Sequence, residues 1–422
     1  MRALLSKLRA DSERVQPVQE NAPVLSSSPD SVFVYARNAL PPMHRFDEIS
    51  VVPVTADNGM VLTGGPIWPE WPAAGPYRHN RSGVPVDRRP PDPQGPVAEF
   101  DGEATWGGYA VGHFGHFMVE HGTRVLQAAT EHPDLPMLFA LQPGAGPNDV
   151  PRFFWQVLDW YGATKENVRW VTRPYRVRGL WAGPMAEQWA HVPTSEAYLD
   201  LLDANAARQA LPVTGGEIVY VARDRMEATG EGHNAGEPYL CALLEQLGVT
   251  VIRPETLPLR DQLAHYASAK VLIFAEGSAM HGRQLLGRAD QTALVLNRRP
   301  SKRVGLAALH PRVTSLGYAE VTRGTASVLW PNGNPWIVRA ISIYQAERLL
   351  EAFDSVGVPL RSVWDQTAYE AARDAGIRKW ISTRFHEKQP IDHAASLRRV
   401  SQEFKALGLE HLLKDLPAGG AA

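Results

Sequence analysis

One short stretch of the chain combines histidine and glutamate at helical spacing. In residues 109–126 (YAVGHFGHFMVEHGTRVL), His116 and Glu120 are four residues apart, and His113 stands three residues before His116. A helix that begins near Gly115 would place His116 and Glu120 on one face. An imidazole and a carboxylate there suit proton transfer or contact with an anion. A plain surface His–Glu pair is the competing interpretation, and the spacing H-x-x-H-x-x-x-E matches no familiar metal-ligand motif.

A second group of residues suits the binding of a phosphate. Residues 276–281 (EGSAMH) follow an apolar run and open a helical one, so backbone N–H groups and the Ser278 hydroxyl could hold a phosphate there. Arg223 would add the fixed positive charge that a diphosphate requires. Glu276 could accept hydrogen bonds from ribose hydroxyls, whereas a carboxylate facing a phosphate would repel it. The competing interpretation is a tight strand–helix turn capped by Ser278, with Arg223 solvated at a sheet edge.

The elements around this second group alternate between strand and helix. β-Branched runs and helical spacing of apolar residues predict strands over 217–223, 249–253, 270–275 and 293–297, and helices over 236–247, 259–269 and 279–286. Such alternation predicts a parallel sheet with right-handed crossovers, and ligands of such sheets lie beyond the carboxyl ends of the strands. Arg223, Glu276-Gly277-Ser278 and Asn297 all fall at those ends.

The first half of the chain predicts a separate α/β domain. Strands are expected over 31–36, 49–54, 61–65, 136–141 and 168–171, and helices over 150–160 and 197–210. Residues 65–99 are dense in Pro, Gly and Trp, which indicates a long irregular excursion. After Asn297 the pattern is irregular to about 334, and from 341 to 416 it is mostly helical. We therefore expect an N-terminal domain over 1–211, a Rossmann-like domain over 212–335, and a helical extension and tail over 336–422.

Composition sets the class of protein. The 422 residues carry a net charge of −2, which gives no reason to expect a nucleic-acid partner. The single cysteine, Cys241, fits a reducing compartment and a small buried side chain. No apolar run approaches the roughly 20 residues of a membrane span. We expect a cytoplasmic protein whose basic N-terminus (MRALLSKLRADSERV) is a surface helix, or at most a peripheral contact with the inner face of a membrane.

Several common enzyme signatures are missing from the sequence. It has no Walker A motif, no G-x-G-x-x-G after a strand, no C-x-x-C and no G-x-S-x-G. Their absence argues against a P-loop enzyme, a simple dehydrogenase and an α/β-hydrolase.

The motifs taken together resemble a known family. The segments that carry the resemblance are 115–120 (GHFMVE), 220–223 (YVAR), 243–248 (LLEQLG), 251–255 (VIRPE), 259–262 (LRDQ) and 276–281 (EGSAMH). Their order and spacing are similar to those of glycosyltransferase family 61, whose bacterial members are often called capsular polysaccharide biosynthesis proteins.

The chain departs from the family pattern in one loop. The family usually has a second arginine and an Asn-Glu pair after the first arginine. Here Glu237 could hold the Glu position, but no Asn precedes it directly, and the second arginine is missing or shifted to Arg225. This departure leaves the identity of the donor open. It also keeps open the hypothesis of a non-catalytic partner subunit in a polysaccharide-assembly complex.

The resemblance implies a fold and a reaction. The fold is α/β and GT-B-like, with two Rossmann-like domains facing a cleft and here a C-terminal helical extension. The reaction moves a sugar from a nucleotide-sugar donor to a glycan or small acceptor, with inversion and without a metal or other cofactor. A nucleotide-sugar epimerase or hydrolase is a rival hypothesis, and so is a metallohydrolase using His113, His116 and Glu120. Whether the protein forms a homodimer stays open.

The resemblance also assigns roles to residues. The catalytic base is His116 or Glu120, and the choice stays open because an imidazole titrates near neutral pH unaided, whereas the pKa of a carboxylate must be raised by burial. The remaining expected site residues bind the donor or lie beside it. Donor binding is expected from Arg223, Glu276, Gly277, Ser278 and His281, with His113, Arg225, Glu237 and Asn297 as additional candidates.

Overall fold

A computed structural model describes residues 39–57, 62–188, 192–226, 231–299, 302–386 and 388–417. The predicted strand over 31–36, the N-terminal segment and the tail after 417 lie outside the described residues. Within them the protein is a mixed α/β structure with several sheets, which confirms the α/β class. The GT-B arrangement and the three domain boundaries stay predictions.

The strands are numbered in chain order. They are β1 His44–Asp57, β2 Leu62–Pro66, β3 Asn80–Arg81, β4 Val84–Pro85, β5 Ala98–Ala110, β6 Met137–Leu141, β7 Val168–Val171, β8 Tyr175–Ala182, β9 Ile218–Val221, β10 His233–Ala235, β11 Thr250–Ile252, β12 Val271–Ala275, β13 Ala289–Leu296, β14 Val313–Ala319, β15 Thr322–Ala326 and β16 Ile341–Tyr344.

The helices are numbered in the same way. They are α1 Phe114–His116, α2 Val125–Glu131, α3 Arg152–Tyr161, α4 Glu196–Gln209, α5 Glu237–Gln246, α6 Leu259–Ser268, α7 Leu306–Leu309, α8 Ala346–Asp354, α9 Gln366–Arg384 and α10 His393–Ala406. A π-helical turn, Phe117–His121, continues α1, and a 3₁₀ helix, Ser278–Leu285, follows β12.

The N-terminal half is built on a six-stranded mixed sheet in the order β2-β1-β8-β5-β6-β7. Strand β1 is antiparallel to β2 and β8, while β8-β5-β6-β7 run parallel. Strand β5 ends at Ala110 and delivers the chain to α1. Sequence analysis did not predict β5 or β8. Strand β5 was missed because its glycines weaken the strand pattern. One of them, Gly107, is required by packing, because a Cβ there would overlap the Phe139 ring.

The second sheet is five-stranded and parallel throughout, in the order β11-β9-β12-β13-β14. This confirms the predicted parallel sheet. Strand β12 is central and fully apolar, and it lies between β9 and β13, so the carboxyl ends of these three strands are side by side. The residues that follow them are Arg223, Glu276 and Asn297, as the sequence predicts.

The last part of the chain is only partly helical. Residues 341–344, which we expected to be helical, form the buried strand β16, whose β-branched side chains Ile341 and Ile343 favour a sheet. It pairs with β10 and β15 in a three-stranded sheet. Helices α9 and α10 pack on this sheet through Trp380 and Phe404, in a core separate from the larger one that spans the six-stranded sheet and part of the parallel sheet. None of the described helices is long and apolar enough to cross a membrane.

Candidate active site

A wide helical turn brings two ionisable residues inward. The His113 side chain caps α1, because its Nδ1 accepts a hydrogen bond from the His116 amide at 3.2 Å. In the π-helical turn that follows, the Gly122 amide donates to the Phe117 carbonyl at 2.8 Å. Such turns are frequent at functional sites. Here the turn buries the consecutive residues Glu120 and His121.

The Glu120 carboxylate forms a two-pronged pair with Arg81. Nε of Arg81 donates to Oε2 at 2.5 Å, and Nη2 donates to Oε1 at 2.9 Å. The Glu120 side chain is fully buried. Arg81 comes from the small β3–β4 hairpin, which lies inside the Pro-rich excursion over 65–99. That excursion therefore supplies part of the site, a role that composition alone did not reveal.

Three histidines surround the same carboxylate. His116 Nδ1 lies 2.9 Å from Oε1 of Glu120, His79 Nε2 lies 3.3 Å from Oε2, and His121 Nε2 lies 3.5 Å from Oε1. The rings of His79 and His121 stack at 4.5 Å. Burial acts to raise the pKa of Glu120, but hydrogen bonds with His116, His79 and Arg81 outweigh it and hold that pKa well below its usual range. Glu120 is therefore ionised at neutral pH.

The group could in principle ligate a metal ion. One ligand atom each from His79, Glu120 and His121 lies within 4.8 Å of the others. However, the Arg81 guanidinium already contacts both oxygens of Glu120. A divalent cation at the carboxylate would face that positive charge directly, so these residues fit a metal poorly. This group also differs from the His113–His116–Glu120 set considered from the sequence.

On the other side of the site, Arg223 lies across the turn after β12. Its Nη2 donates to the Gly232 carbonyl at 2.7 Å, and its guanidinium covers Gly277, where any Cβ would collide with it. Its backbone amide donates to Glu237 Oε1 at 2.8 Å. Hydrogen bonds of both its backbone and its side chain thus fix Arg223 over the Gly277-Ser278 turn.

Glu237 is a buried anchor for that arginine. Besides the Arg223 amide, it accepts hydrogen bonds from the Tyr220 hydroxyl at 2.9 Å and from Asn234 Nδ2 at 3.1 Å. Burial raises the pKa of Glu237. Asn234 stands three residues before Glu237, so an Asn–Glu pair exists in space although the two are not adjacent in sequence. A search for an adjacent pair overlooked it.

Glu276 and Asn297 are committed to contacts within the protein. Glu276 is fully buried and accepts from the amides of Arg298 (2.8 Å) and Arg299 (3.0 Å), and from Arg299 Nε at 2.6 Å. Asn297 Nδ2 donates to Glu320 Oε1 at 2.7 Å. Arg298 and Arg299 directly follow a predicted strand end, so the signal was present in the sequence and was missed. Arg225 lies exposed at the surface.

The two sides of the site meet at Gly115. A Cβ on Gly115 would lie 3.3 Å from Ser278 Oγ and 3.4 Å from Cδ2 of His281. His281 is buried, and burial lowers its pKa to about 4. Its Nδ1 lies 2.7 Å from Gln284 Oε1. The structure therefore brings the predicted catalytic pair and the predicted phosphate turn together, although they are about 160 residues apart in the sequence.

Comparison with known families agrees with this arrangement. Residues 114–284 match the family model described as Glycosyltransferase 61. The matched stretch begins at α1 and ends within the 3₁₀ helix, so it includes His116, Glu120 and the Gly277-Ser278 turn, while Arg81 and Arg298 lie outside it. The match confirms the resemblance seen in the sequence and supports a glycosyltransferase activity. No curated protein matches the chain.

Proposed function

We propose that the protein transfers a sugar from a nucleotide-sugar donor to a hydroxyl of a glycan or small acceptor, with inversion and without a metal. The observation that carries the proposal is the position of His116. Its half-exposed imidazole contacts the buried Glu120 through Nδ1 at 2.9 Å, next to the glycine that touches Ser278. An imidazole polarised by a carboxylate, beside a turn that could bind phosphate, suits sugar transfer from a diphosphate donor.

His116 is the base in this proposal, and Glu120 positions it. Glu120 is ionised but fully buried, and its oxygens already accept hydrogen bonds from Arg81 and the histidines. It therefore cannot contact the hydroxyl of an acceptor. The contact with Nδ1 favours the tautomer of His116 whose Nε2 accepts a proton. As the acceptor oxygen attacks the anomeric carbon, its proton passes to His116, and the charge of Glu120 stabilises the resulting imidazolium.

The donor diphosphate would bind at the carboxyl ends of β9 and β12. Arg223 and the N–H groups at Gly277 and Ser278 offer positive charge where the bond from the anomeric carbon to the diphosphate breaks. Glu276, for which the sequence suggested a ribose contact, would instead fix the loop of Arg298 and Arg299. The acceptor class we favour is a growing surface polysaccharide, handled on the cytoplasmic side of the membrane.

A nucleotide screen tests the proposal. Purified protein is melted with UDP, GDP, CMP, ADP and their common sugar conjugates. A ligand at a hundred times its dissociation constant adds about 2.7 kcal/mol to stability, which a melting curve detects. We expect one nucleotide to raise the melting temperature. A single clean melt with no shift for any nucleotide would contradict donor binding and favour a non-catalytic subunit.

A further inference from the structure

Two arginines and a histidine carry buried polar atoms without partners beside the proposed donor site. Arg298, Arg384 and His233 are 6%, 1% and 3% exposed. Within the described part of the chain, no hydrogen bond reaches Nε of Arg298, Nε and Nη1 of Arg384, or Nε2 of His233. A buried polar group without a partner costs free energy, and a buried charge costs more. Three such groups together indicate a site built for a ligand.

The arginines converge on Gly232 and His233. The guanidinium of Arg298 occupies the place that a Cβ on Gly232 would take, and Nη2 of Arg223 donates to the carbonyl of the same glycine at 2.7 Å. His233 follows directly. Burial lowers the pKa of His233 to about 4, and the charges of Arg223, Arg298 and Arg384 act in the same direction. At neutral pH the histidine is neutral, and the positive charge here comes from arginine.

Among the described residues, Arg298 forms no salt bridge with a carboxylate. Glu276 attracts the charge of Arg298, but its Oε2 accepts from the Arg298 backbone amide and its Oε1 binds the guanidinium of Arg299. Burial, together with the charges of Arg223 and Arg299, lowers the pKa of Arg298 to about 10, so it remains cationic at neutral pH. Arg298 therefore contributes a buried positive charge without an ion-pair partner of its own, which favours an anionic ligand beside it.

The sheet order places this charge next to the phosphate turn. Arg223 follows β9 and Arg298 follows β13, and these strands are the two neighbours of β12, which leads into Gly277-Ser278. The two arginines therefore flank the turn from opposite sides. Arg225, which the sequence offered as a candidate for the second arginine of the family pattern, is exposed at the surface.

We propose that Arg298 is the second cation of the donor diphosphate site, and that Arg384 and His233 complete a phosphate pocket around it. The inference rests on the proposed function. It also assigns the C-terminal helices a part in the site, because Arg384 is the last residue of α9. The ligand chemistry is a diphosphate, either carried by a nucleoside or as inorganic pyrophosphate.

The test measures both affinity and stability in full-length variants. Arg298→Met and Arg384→Met should weaken binding of inorganic pyrophosphate, and of whichever nucleoside diphosphate the wild type binds, by about 10- to 100-fold in titration calorimetry. The melting temperature of ligand-free Arg298→Met should stay level or rise, because methionine replaces a buried unpaired charge. Arg361→Met, at an exposed ion pair with Glu347, is the control and should change neither quantity.

The contrary results distinguish failure of this inference from failure of the proposed function. If Arg298→Met melts at a lower temperature or fails to fold, the charge is paired in the fold and the inference is wrong. If Arg225→Met weakens binding and Arg298→Met does not, the second cation is Arg225. Nucleoside diphosphate binding that is unchanged in Arg298→Met would remove the inference and leave the proposed function. Arg298-dependent binding of pyrophosphate alone would leave the anion site and remove the nucleotide-sugar donor. Binding of neither ligand by the wild type would remove both.

Discussion

Gly115 of the N-terminal half lies against Ser278, just after the central strand of the parallel sheet, so closely that a Cβ on Gly115 would be 3.3 Å from Ser278 Oγ. The next residue along α1 is His116, and Ser278 begins the 3₁₀ helix after β12. The contact therefore lies between the proposed base and the proposed phosphate turn. A Cβ at 115 would be tight, because it would also lie 3.2 Å from Cε1 of His113.

Replacing Gly115 tests whether this spacing matters. Gly115→Ala should lower turnover about tenfold, because small displacements of a catalytic group are costly. Stability should change by less than about 1 kcal/mol, since alanine favours a helix and offsets the tighter contact. Gly95→Ala, at a position with open space around the α-carbon, is the control. Turnover that is unchanged in Gly115→Ala would mean that the two sides tolerate a wider gap.

Glu120 should be important for folding as well as for activity. Glu120→Gln removes the charge from a fully buried carboxylate and leaves the Arg81 guanidinium without this carboxylate. We expect a loss of about 3 kcal/mol in the free energy of unfolding, measured with urea. The exposed pair of Glu347 and Arg361 is the comparison, and Glu347→Gln should cost less than about 1 kcal/mol. Equal, small effects in both variants would show that Glu120 is not a buried anchor.

The buried histidines predict how stability depends on pH. The pKa values of His79, His121, His233 and His281 are all lowered, chiefly by burial, and those of His233 and His281 fall to about 4. Below about pH 6.5 the unfolded chain binds protons that the folded protein does not. The free energy of unfolding should therefore fall as the pH drops from 6.5 toward 4, by up to about 1.4 kcal/mol per pH unit for each histidine.

One variant separates this effect from general acid sensitivity. His281→Gln removes one titrating group. The slope of the unfolding free energy against pH should therefore decrease by up to the contribution of one proton, about 1.4 kcal/mol per pH unit. Glu237 acts in the opposite direction, because burial raises its pKa and its protonation on acidification favours the folded state. Urea unfolding at half-unit steps of pH gives the slope. A stability that is flat from pH 7 to 5 would contradict the neutral buried histidines.

The contacts of Arg81 predict that activity does not depend on a metal. Because its guanidinium contacts both oxygens of Glu120, dialysis against a chelator should leave turnover and the melting temperature unchanged. Elemental analysis of the purified protein should find less than stoichiometric zinc. One bound metal ion per chain, with activity lost on chelation and restored on its return, would favour the group of His79, Glu120 and His121 as a metal centre.

Local patterns predicted four of the five strands of the second sheet, and only β14 was missed. The run over 270–275 predicts a strand and β12 is Val271–Ala275, while the helix predicted over 259–269 is α6, Leu259–Ser268. Both signals are carried by neighbouring residues, so one sequence suffices. Strand β16 was expected to be helical because its four residues are too few to distinguish a strand from a helix, and the chain after them is mostly helical.

The site itself could be predicted only in part. His116 and Glu120 share a helical stretch, and Ser278 follows a strand, so local sequence patterns were enough to select them as candidates. Arg81 was not, because it lies 39 residues before Glu120 in a hairpin with no regular pattern. Long-range pairs of this kind depend on how the Pro-rich excursion packs, which local spacing does not encode.

The most direct test of the account separates donor binding from proton transfer. Donor affinity and the turnover number are measured for the wild type, Arg223→Ala and His116→Ala, with the nucleotide-sugar found in the melting screen. Arg223→Ala should weaken donor binding at least about tenfold, while His116→Ala should keep the affinity and lower turnover by about 100- to 10,000-fold. Wild-type turnover in His116→Ala, or wild-type affinity in Arg223→Ala, would contradict the division of the site into a base on α1 and a donor turn after β12.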